Sequence, residues 1–142
     1  AYNGLPFLDL WFACGKLGAI LQPLNWRLTA GELAALVADA APVLLAYGPE
    51  FGPLTRELRA AAPSIRHWLA LGAPAHGGDT PLAERDGCDE AVPPVALAPD
   101  APWVLCYTGG TTGTPKGAVL THGSIAWNAV NTVASWGLDA GD

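Results

Sequence analysis

The sequence predicts an α/β fold, with a largely parallel sheet and flanking helices, and three observations support this prediction. Helical patterns alternate with short apolar runs as far as Leu71. The run VLLAY at Val43–Tyr47 is unbroken by charged residues, as expected of a strand buried on both faces of a parallel sheet. Thr29 and Glu32 form a T-x-x-E pattern, which is typical of a helix start. Such alternation of helices and buried strands characterises α/β proteins.

The other elements of the first half follow from spacing and punctuation. Apolar residues at helical spacing predict a first helix over Pro6–Leu17, with the proline in its first turn. The run AILQPL at Ala19–Leu24 predicts a short strand. The helix that starts at the T-x-x-E pattern should end before Pro42, because proline cannot continue it. A third helix is expected over Pro53–Ala62 and a further strand over Arg66–Leu71.

In the second half, two apolar runs flank a loop rich in glycine and threonine. WVLCY at Trp103–Tyr107 predicts a strand that enters this loop, and GAVLT at Gly117–Thr121 predicts a strand that leaves it. A final helix should begin from a cap at Thr121 or Ser124 and end at Trp136, where a glycine follows. The second half therefore predicts a hairpin followed by a helix.

We expect one incomplete domain in three parts: helix–strand units over residues 1–71, a connection over 72–102, and strand–loop–strand–helix over 103–142. The connection contains six prolines and four glycines, so one helical turn at Leu82–Arg85 is the only regular element expected in it. Five acids and one base lie within Asp79–Glu90, and a charge run of this kind is usually a solvated loop.

Composition excludes several classes of function. The net charge is −6 and no basic stripe is present, so nucleic acid is not an expected partner. No run of eighteen apolar residues predicts a membrane span. The three cysteines show no C-x-x-C spacing, which favours a reduced, cytoplasmic setting. The histidines and cysteines also lack zinc-ligand spacing.

The loop TGGTTGTPK carries the candidate binding chemistry. Its glycines let a ligand approach the main chain, and successive amides in such a turn form a nest for an anion. Its threonines add hydroxyl donors, and Lys116 adds the mobile point charge that a phosphate requires. The candidate ligand-binding residues are Thr108, Gly109, Gly110, Thr111, Thr112, Gly113 and Lys116.

Two other kinds of loop share parts of this pattern. An exposed hairpin turn would explain one pair of glycines, but it requires neither four threonines nor a lysine at a fixed place. A Walker A loop requires glycine before the lysine, serine or threonine after it, and then a helix. Here Pro115 precedes Lys116, Gly117 follows it, and a strand is expected next, which disfavours a Walker-type phosphotransferase.

The segment YTGGTTGTPKG resembles the phosphate-loop signature Y-T-S-G-T-T-G-x-P-K-G of the adenylate-forming, or AMP-binding, enzymes. Nine of the ten fixed positions match, and the departure is Gly109 where serine is commonest. The segment YNGLPFLDLWFACGKLGAILQPLNWRLTAGEL is similar to the region of acyl-CoA ligases that precedes this loop. GTTGTPKG and PLNWRL look more like fatty-acyl or aryl-CoA ligases than peptide-synthetase adenylation domains, which remain an alternative beside a non-catalytic polyphosphate-binding module.

The resemblance implies a two-step reaction in which a carboxylic acid attacks ATP to form an acyl-adenylate, and coenzyme A then takes the acyl group. The loop would hold the departing phosphates with Mg²⁺, Lys116 would act catalytically, and Thr111 would contact the metal. The resemblance also implies that the chain is a fragment of the large N-terminal domain and is inactive by itself. Because such a fragment exposes sheet edges and apolar faces, we expect it to self-associate.

Overall fold

The computed structural model describes residues 1–88, 95–109 and 115–139, which form four α-helices, five strands and two short 3₁₀ helices. In chain order these elements are α1 (Leu5–Leu17), α2 (Ala30–Ala40), β1 (Leu44–Tyr47), a 3₁₀ helix (Pro49–Phe51), α3 (Gly52–Ala61), β2 (His67–Ala70), β3 (Thr80–Pro81), a 3₁₀ helix (Leu82–Gly87), β4 (Pro102–Thr108), β5 (Lys116–Thr121) and α4 (His122–Trp136).

The chain divides into two compact units. The first combines Ala1–Leu8 with Leu24–Val92, and the second combines Asp9–Pro23 with Pro93–Asp142. Among the described residues, no helix has both the length and the apolar character needed to cross a membrane.

The first unit is built on a parallel sheet in the order β1-β2-β3, with β1 and β2 joined by a connection that contains α3. Parallel pairing of consecutive strands around a helix is the α/β arrangement that the sequence predicts. Residues from α2, α3, β1, β2 and the segment between α3 and β2 form one apolar core: Leu33, Val37, Leu45, Tyr47, Leu58, Ala62, Ile65, Trp68 and Ala70.

The predicted helix start at α2 is confirmed in full. The Thr29 backbone N–H donates to the Glu32 carboxylate over 2.8 Å, and the Glu32 N–H donates to the Thr29 hydroxyl oxygen over 3.4 Å. The Thr29 hydroxyl also donates to the Glu32 carboxylate over 2.8 Å, and the hydrogen bonds that this carboxylate accepts, first from the Thr29 backbone and then from the Thr29 hydroxyl, hold the pKa of Glu32 below its usual range. At the other end α2 stops at Ala41, which has a left-handed conformation with φ of 46° and donates its backbone N–H to the Val37 carbonyl oxygen over 2.8 Å.

The prediction that Val43–Tyr47 is buried on both faces was wrong. Leu45 and Tyr47 lie in the core, but Leu44, the residue before Leu45, is 47% exposed. Successive strand residues point to opposite faces, and in the described parts of the chain the apolar core covers only one face of β1. The apolar run predicted a strand correctly, but it did not predict that only one face of this strand is buried.

The acidic run is not wholly solvated, because Asp79 is buried with only 2% of its side chain exposed. The Tyr47 hydroxyl donates to one Asp79 oxygen over 2.5 Å, and Arg59 pairs with the other. The backbone N–H of Ala75 donates to the Tyr47 hydroxyl over 2.9 Å, and the Arg59 guanidinium lies 4.0 Å from the Trp68 ring centroid. Burial, followed by the hydrogen bond to Asp79, raises the pKa of Tyr47. These contacts attach the segment after β2 to the sheet.

The connection over 72–102 contains more structure than predicted. Thr80 and Pro81 pair in parallel with Leu69 and Ala70 to form β3, and the expected helical turn extends to Leu82–Gly87. A proline is tolerated there because β3 lies at the edge of the sheet.

The second unit is an antiparallel hairpin of β4 and β5, with α4 directly after it. The predicted strand Ala19–Leu24 was wrong, since only Leu21 pairs with the sheet, through a parallel bridge to Val104. Pro23 lacks a backbone N–H, which limits any longer ladder. The helix prediction is confirmed: Thr121 caps α4 together with Ser124, and Gly137 ends it with φ of 65°.

We predict that Asp79→Asn lowers the free energy of unfolding by about 2 kcal/mol. The variant removes the charge of a buried carboxylate that pairs with Arg59, and because Arg59 is partly exposed the loss stays below that of a fully buried pair. Urea unfolding followed by circular dichroism measures the change. Asp86→Asn is the matched control, because Asp86 is exposed and should alter stability by less than about 0.5 kcal/mol. Equal effects of the two variants would contradict the buried role of Asp79.

Candidate functional site

The glycine–threonine loop, residues 109–115, joins β4 to β5. Its two ends are held together by the hairpin ladder, in which Thr108 is the partner of Lys116 and Tyr107 is the partner of Gly117. The Thr108 hydroxyl also donates to the Lys116 carbonyl oxygen over 3.4 Å. The predictions that Tyr107 and Val119 lie on the flanking strands are confirmed, and the strand that begins at Lys116 is incompatible with a Walker A helix.

The structure describes three of the seven candidate residues. Thr108 is the last residue of β4, Gly109 follows it, and Lys116 is the first residue of β5, and all three are exposed. A Cβ built on Gly109 would meet no other atom within 4 Å, so the space beside its main chain is open. The other candidates lie outside the described residues: Gly110, Thr111, Thr112 and Gly113.

These three residues place a hydroxyl donor, an open stretch of main chain and an ammonium group at the same end of one hairpin. An exposed lysine presents a compact ammonium group on a flexible stem, which suits a polyanionic ligand. Across the described parts of the chain, no group of three histidines, cysteines or acids could hold a metal ion. The predicted metal contact, Thr111, lies outside those parts.

The hairpin is tightly packed just beyond the loop. A Cβ built on Gly117 would lie 2.8 Å from the Leu105 Cδ1 atom and 3.5 Å from the Tyr107 ring. A glycine therefore allows the side chains of β4 to cross over β5 at the residue after Lys116.

At its base the hairpin is held by a contact that the sequence did not reveal, which we call the Trp103 anchor: the Trp103 side chain together with Trp11, Gly15 and His122. The Trp103 indole N–H donates to the Trp11 carbonyl oxygen over 3.0 Å. The Trp103 ring stacks on the His122 ring, with centroids 4.8 Å apart and planes inclined by 19°. Gly15 is the one buried residue of α1, and a Cβ there would lie 2.5 Å from the Trp103 ring. A glycine near the end of an otherwise regular helix was the available signal.

The N-terminus of α4 is not an open anion site, because its first amides already have acceptors. The His122 N–H donates to the Ala101 carbonyl oxygen over 3.0 Å, and the Gly123 N–H donates to the Pro99 carbonyl oxygen over 2.7 Å. The next amide donates to the capping threonine hydroxyl. The expectation that a positive helix end binds a phosphate does not apply here, and the loop is the better candidate.

The whole chain, residues 1–142, matches the family described as AMP-binding enzyme. It is 42% identical over 144 residues to indoleacetate–CoA ligase of Aromatoleum aromaticum, covering 99% of this chain and 28% of the relative. It is 37% identical over 131 residues to feruloyl-CoA synthase of an Amycolatopsis species, covering 92% of this chain and 24% of the relative. The chain therefore spans about a quarter of the length of the curated relatives it matches.

Comparison with solved structures confirms the predicted fold. The apo structure of MbtA from Mycobacterium smegmatis superposes with a TM-score of 0.85 at 29% sequence identity, over 97% of this chain and 26% of that one. The two units thus form part of the α/β domain that adenylate-forming enzymes share.

We predict that Gly123→Ala lowers the free energy of unfolding by about 1–3 kcal/mol, although alanine is the better helix former. The added Cβ would lie 2.9 Å from the Pro99 carbonyl oxygen, and main chain cannot move aside as a flexible side chain can. Gly31→Ala in α2 is the matched control, because a Cβ there meets nothing within 4 Å. It should raise stability by about 0.5 kcal/mol. Thermal unfolding of both variants measures the difference, and a stabilising Gly123→Ala would contradict the close approach.

Proposed function

Because the chain belongs to the AMP-binding enzyme family, we propose that it is part of an ATP-dependent acyl-CoA ligase, in which it supplies the loop that grips the phosphates of ATP. The observation that carries the proposal is the glycine–threonine loop held between Thr108 and Lys116 at one end of a hairpin. The relatives named as CoA ligases and synthases support the reaction class.

The first step of the proposed reaction is attack by a carboxylate oxygen on the α-phosphorus of ATP. A phosphorus–oxygen bond forms, the bond to the β-phosphate oxygen breaks, and pyrophosphate leaves with the electron pair. Thr108, Gly109 and Lys116 would bind the departing phosphates, with Gly110, Thr111, Thr112 and Gly113 completing the loop. Lys116 is the catalytic residue in this proposal, because its ammonium would neutralise charge that grows as pyrophosphate leaves.

At the proposed site Mg²⁺ would be bound mainly by the phosphates of ATP and only to a small extent by the protein. The described end of the loop offers hydroxyl and main-chain oxygen chemistry, and no acidic cluster. Mg²⁺ retains water and binds substrate phosphates beside few protein ligands, so this composition is compatible with it. The proposed protein contact is Thr111, and the ion would supply further charge neutralisation of the phosphates.

In the second step the thiol of coenzyme A would attack the acyl carbon of the acyl-adenylate, forming the thioester and releasing AMP. We propose a cytoplasmic location for this chemistry, since all three cysteines of the chain are unpaired. Isolated from the rest of the ligase, residues 1–142 should bind no complete set of substrates and should be inactive.

The test uses the full-length ligase and a panel of acids that includes indoleacetate, ferulate and a long-chain fatty acid. We expect acid-dependent exchange of labelled pyrophosphate into ATP, followed by thioester formation when coenzyme A is added. Exchange without thioester formation would favour a peptide-synthetase type of adenylation domain. Binding of tripolyphosphate without any exchange would favour a non-catalytic module and would overturn the proposal.

Lys116→Ala should slow acyl-adenylate formation by about tenfold to a hundredfold, while thioester formation from pre-formed acyl-adenylate should change little. The reason is that pyrophosphate leaves only in the first step, and removing one electrostatic donor costs roughly this factor when others share the charge. Stability should change by less than about 0.5 kcal/mol because the side chain is exposed. Rapid-quench measurement of both half-reactions provides the comparison.

Lys16→Ala is the matched control for this variant, since Lys16 is the other lysine of the chain and is exposed on α1. It should leave both half-reactions unchanged. If Lys116→Ala slows both half-reactions equally, or slows neither, then Lys116 does not bind the pyrophosphate leaving group.

We also propose that the isolated 142-residue chain self-associates through its second unit. The helix α4 contains no Asp, Glu, Lys or Arg and buries none of its residues, and Trp127 and Trp136 are 68% and 75% exposed. Val119 and Leu120 of β5 are exposed beside it. An apolar surface of this kind favours association.

Light scattering during size-exclusion chromatography should show an average mass above 14.6 kDa that rises with concentration. Trp136→Glu should lower the apparent mass, while Ser124→Ala, at the capped end of the same helix, should not. A single monomeric species at millimolar concentration would refute this prediction.

A further inference from the structure

The Trp103 anchor lies at the end of the hairpin that is opposite the glycine–threonine loop. Trp103 is the second residue of β4, and Thr108, at the edge of the loop, is the last. Five residues of extended chain span about 17 Å. A phosphate group held beside Thr108 therefore lies beyond contact with the anchor, and an influence of the anchor on the loop must pass along the two strands.

The ladder between the strands is irregular only at the anchor. Pro102 pairs with Thr121 and Val104 pairs with Leu120, so Trp103 is the extra residue of a bulge on β4. From Val104 to Thr108 the pairing is regular and ends with Thr108 opposite Lys116. A bulge fixes the register of the ladder that follows it.

Both strands of the hairpin are restrained at this bulge. On β4, the Trp103 side chain is held by its hydrogen bond to the Trp11 carbonyl oxygen and by its fit against Gly15. On the other side, β5 runs directly into His122, whose ring stacks on Trp103. One side chain thus joins α1, the start of β4 and the end of β5.

The consequence for the loop follows from strand periodicity. A shift of one residue in the register would move every side chain of a strand to the opposite face of the hairpin. With the bulge fixed at Trp103, the Thr108 hydroxyl and the first residue of β5 are brought together, as their 3.4 Å hydrogen bond shows. Loosening of the bulge would spread the two ends of the loop.

We propose that Trp103 is a positioning residue for the phosphate-binding loop, acting through the register of β4 and β5 and not by contact with ATP. This inference rests on the proposed function of the loop. Position 15 requires glycine for the same reason, because any larger residue there displaces the Trp103 ring.

The test is a double-variant cycle in the full-length ligase. Gly15→Ala introduces a methyl group 2.5 Å from the Trp103 ring, and Trp103→Leu removes the atoms that it would meet. We expect each single variant to raise the KM for ATP in pyrophosphate exchange about tenfold, with a smaller change in kcat, because displacement by about 1 Å is costly at a site that binds by geometry. In the double variant the added methyl should cause no further rise, so that the effects of the two changes are not additive.

Trp68→Leu is the control for stability alone. Trp68 is buried in the core of the first unit, so its replacement should lower the melting temperature without changing the KM for ATP. If Trp103→Leu behaves in the same way, the ring contributes only to stability and the inference is wrong.

Hydrogen exchange provides a readout that does not depend on activity. Gly15→Ala should speed exchange of the β4 amides at Leu105–Thr108, and Trp68→Leu should not. Unchanged exchange in this segment would overturn the inference. A wild-type ligase that shows no pyrophosphate exchange with any acid would count against the proposed function, and hydrogen exchange would then decide the role of the anchor.

Discussion

The pairing of β4 with β5 is the constraint on which the candidate site depends. It brings Thr108 and Lys116 together although a glycine-rich loop separates them in sequence. Glycine and threonine residues alone leave the ends of such a loop many relative positions, and the ladder reduces these to one. The cation and the hydroxyl therefore occupy the same end of the hairpin because backbone hydrogen bonds hold them there, and not because they attract each other.

Each unit uses one aromatic side chain with a single polar group to fasten an irregular part of the chain. In the first unit the Tyr47 hydroxyl accepts a hydrogen bond from the Ala75 N–H and donates one to Asp79. In the second, the Trp103 N–H bonds to the main chain of α1. Aromatic rings suit this task, because they contribute a large buried area while the polar group fixes one orientation. Because an irregular segment has few contacts with the rest of its unit, we expect substitutions at those contacts to disturb its position most.

The charged residues of the two units differ in their surroundings, and this difference fits the proposed function. In the first unit the buried carboxylate of Asp79 pairs with the partly exposed guanidinium of Arg59. The helix α4 has no Asp, Glu, Lys or Arg, which suits a helix that is covered on several sides within a longer domain. Lys116 is exposed at the end of the loop, where its side chain is available to an anionic ligand and contributes little to the stability of the fold.

Local sequence determined most of the helices and strands, and tertiary structure decided their surroundings. The capping box at Thr29, the hairpin strands and the loop between them were predictable, because caps, periodicity and glycine-rich motifs depend on neighbouring residues. The sequence did not reveal that Asp79 is buried, that Leu21 forms a single bridge, or that Trp103 fits against Gly15. Each of these joins residues far apart in the chain, so each depends on contacts that only the folded chain creates.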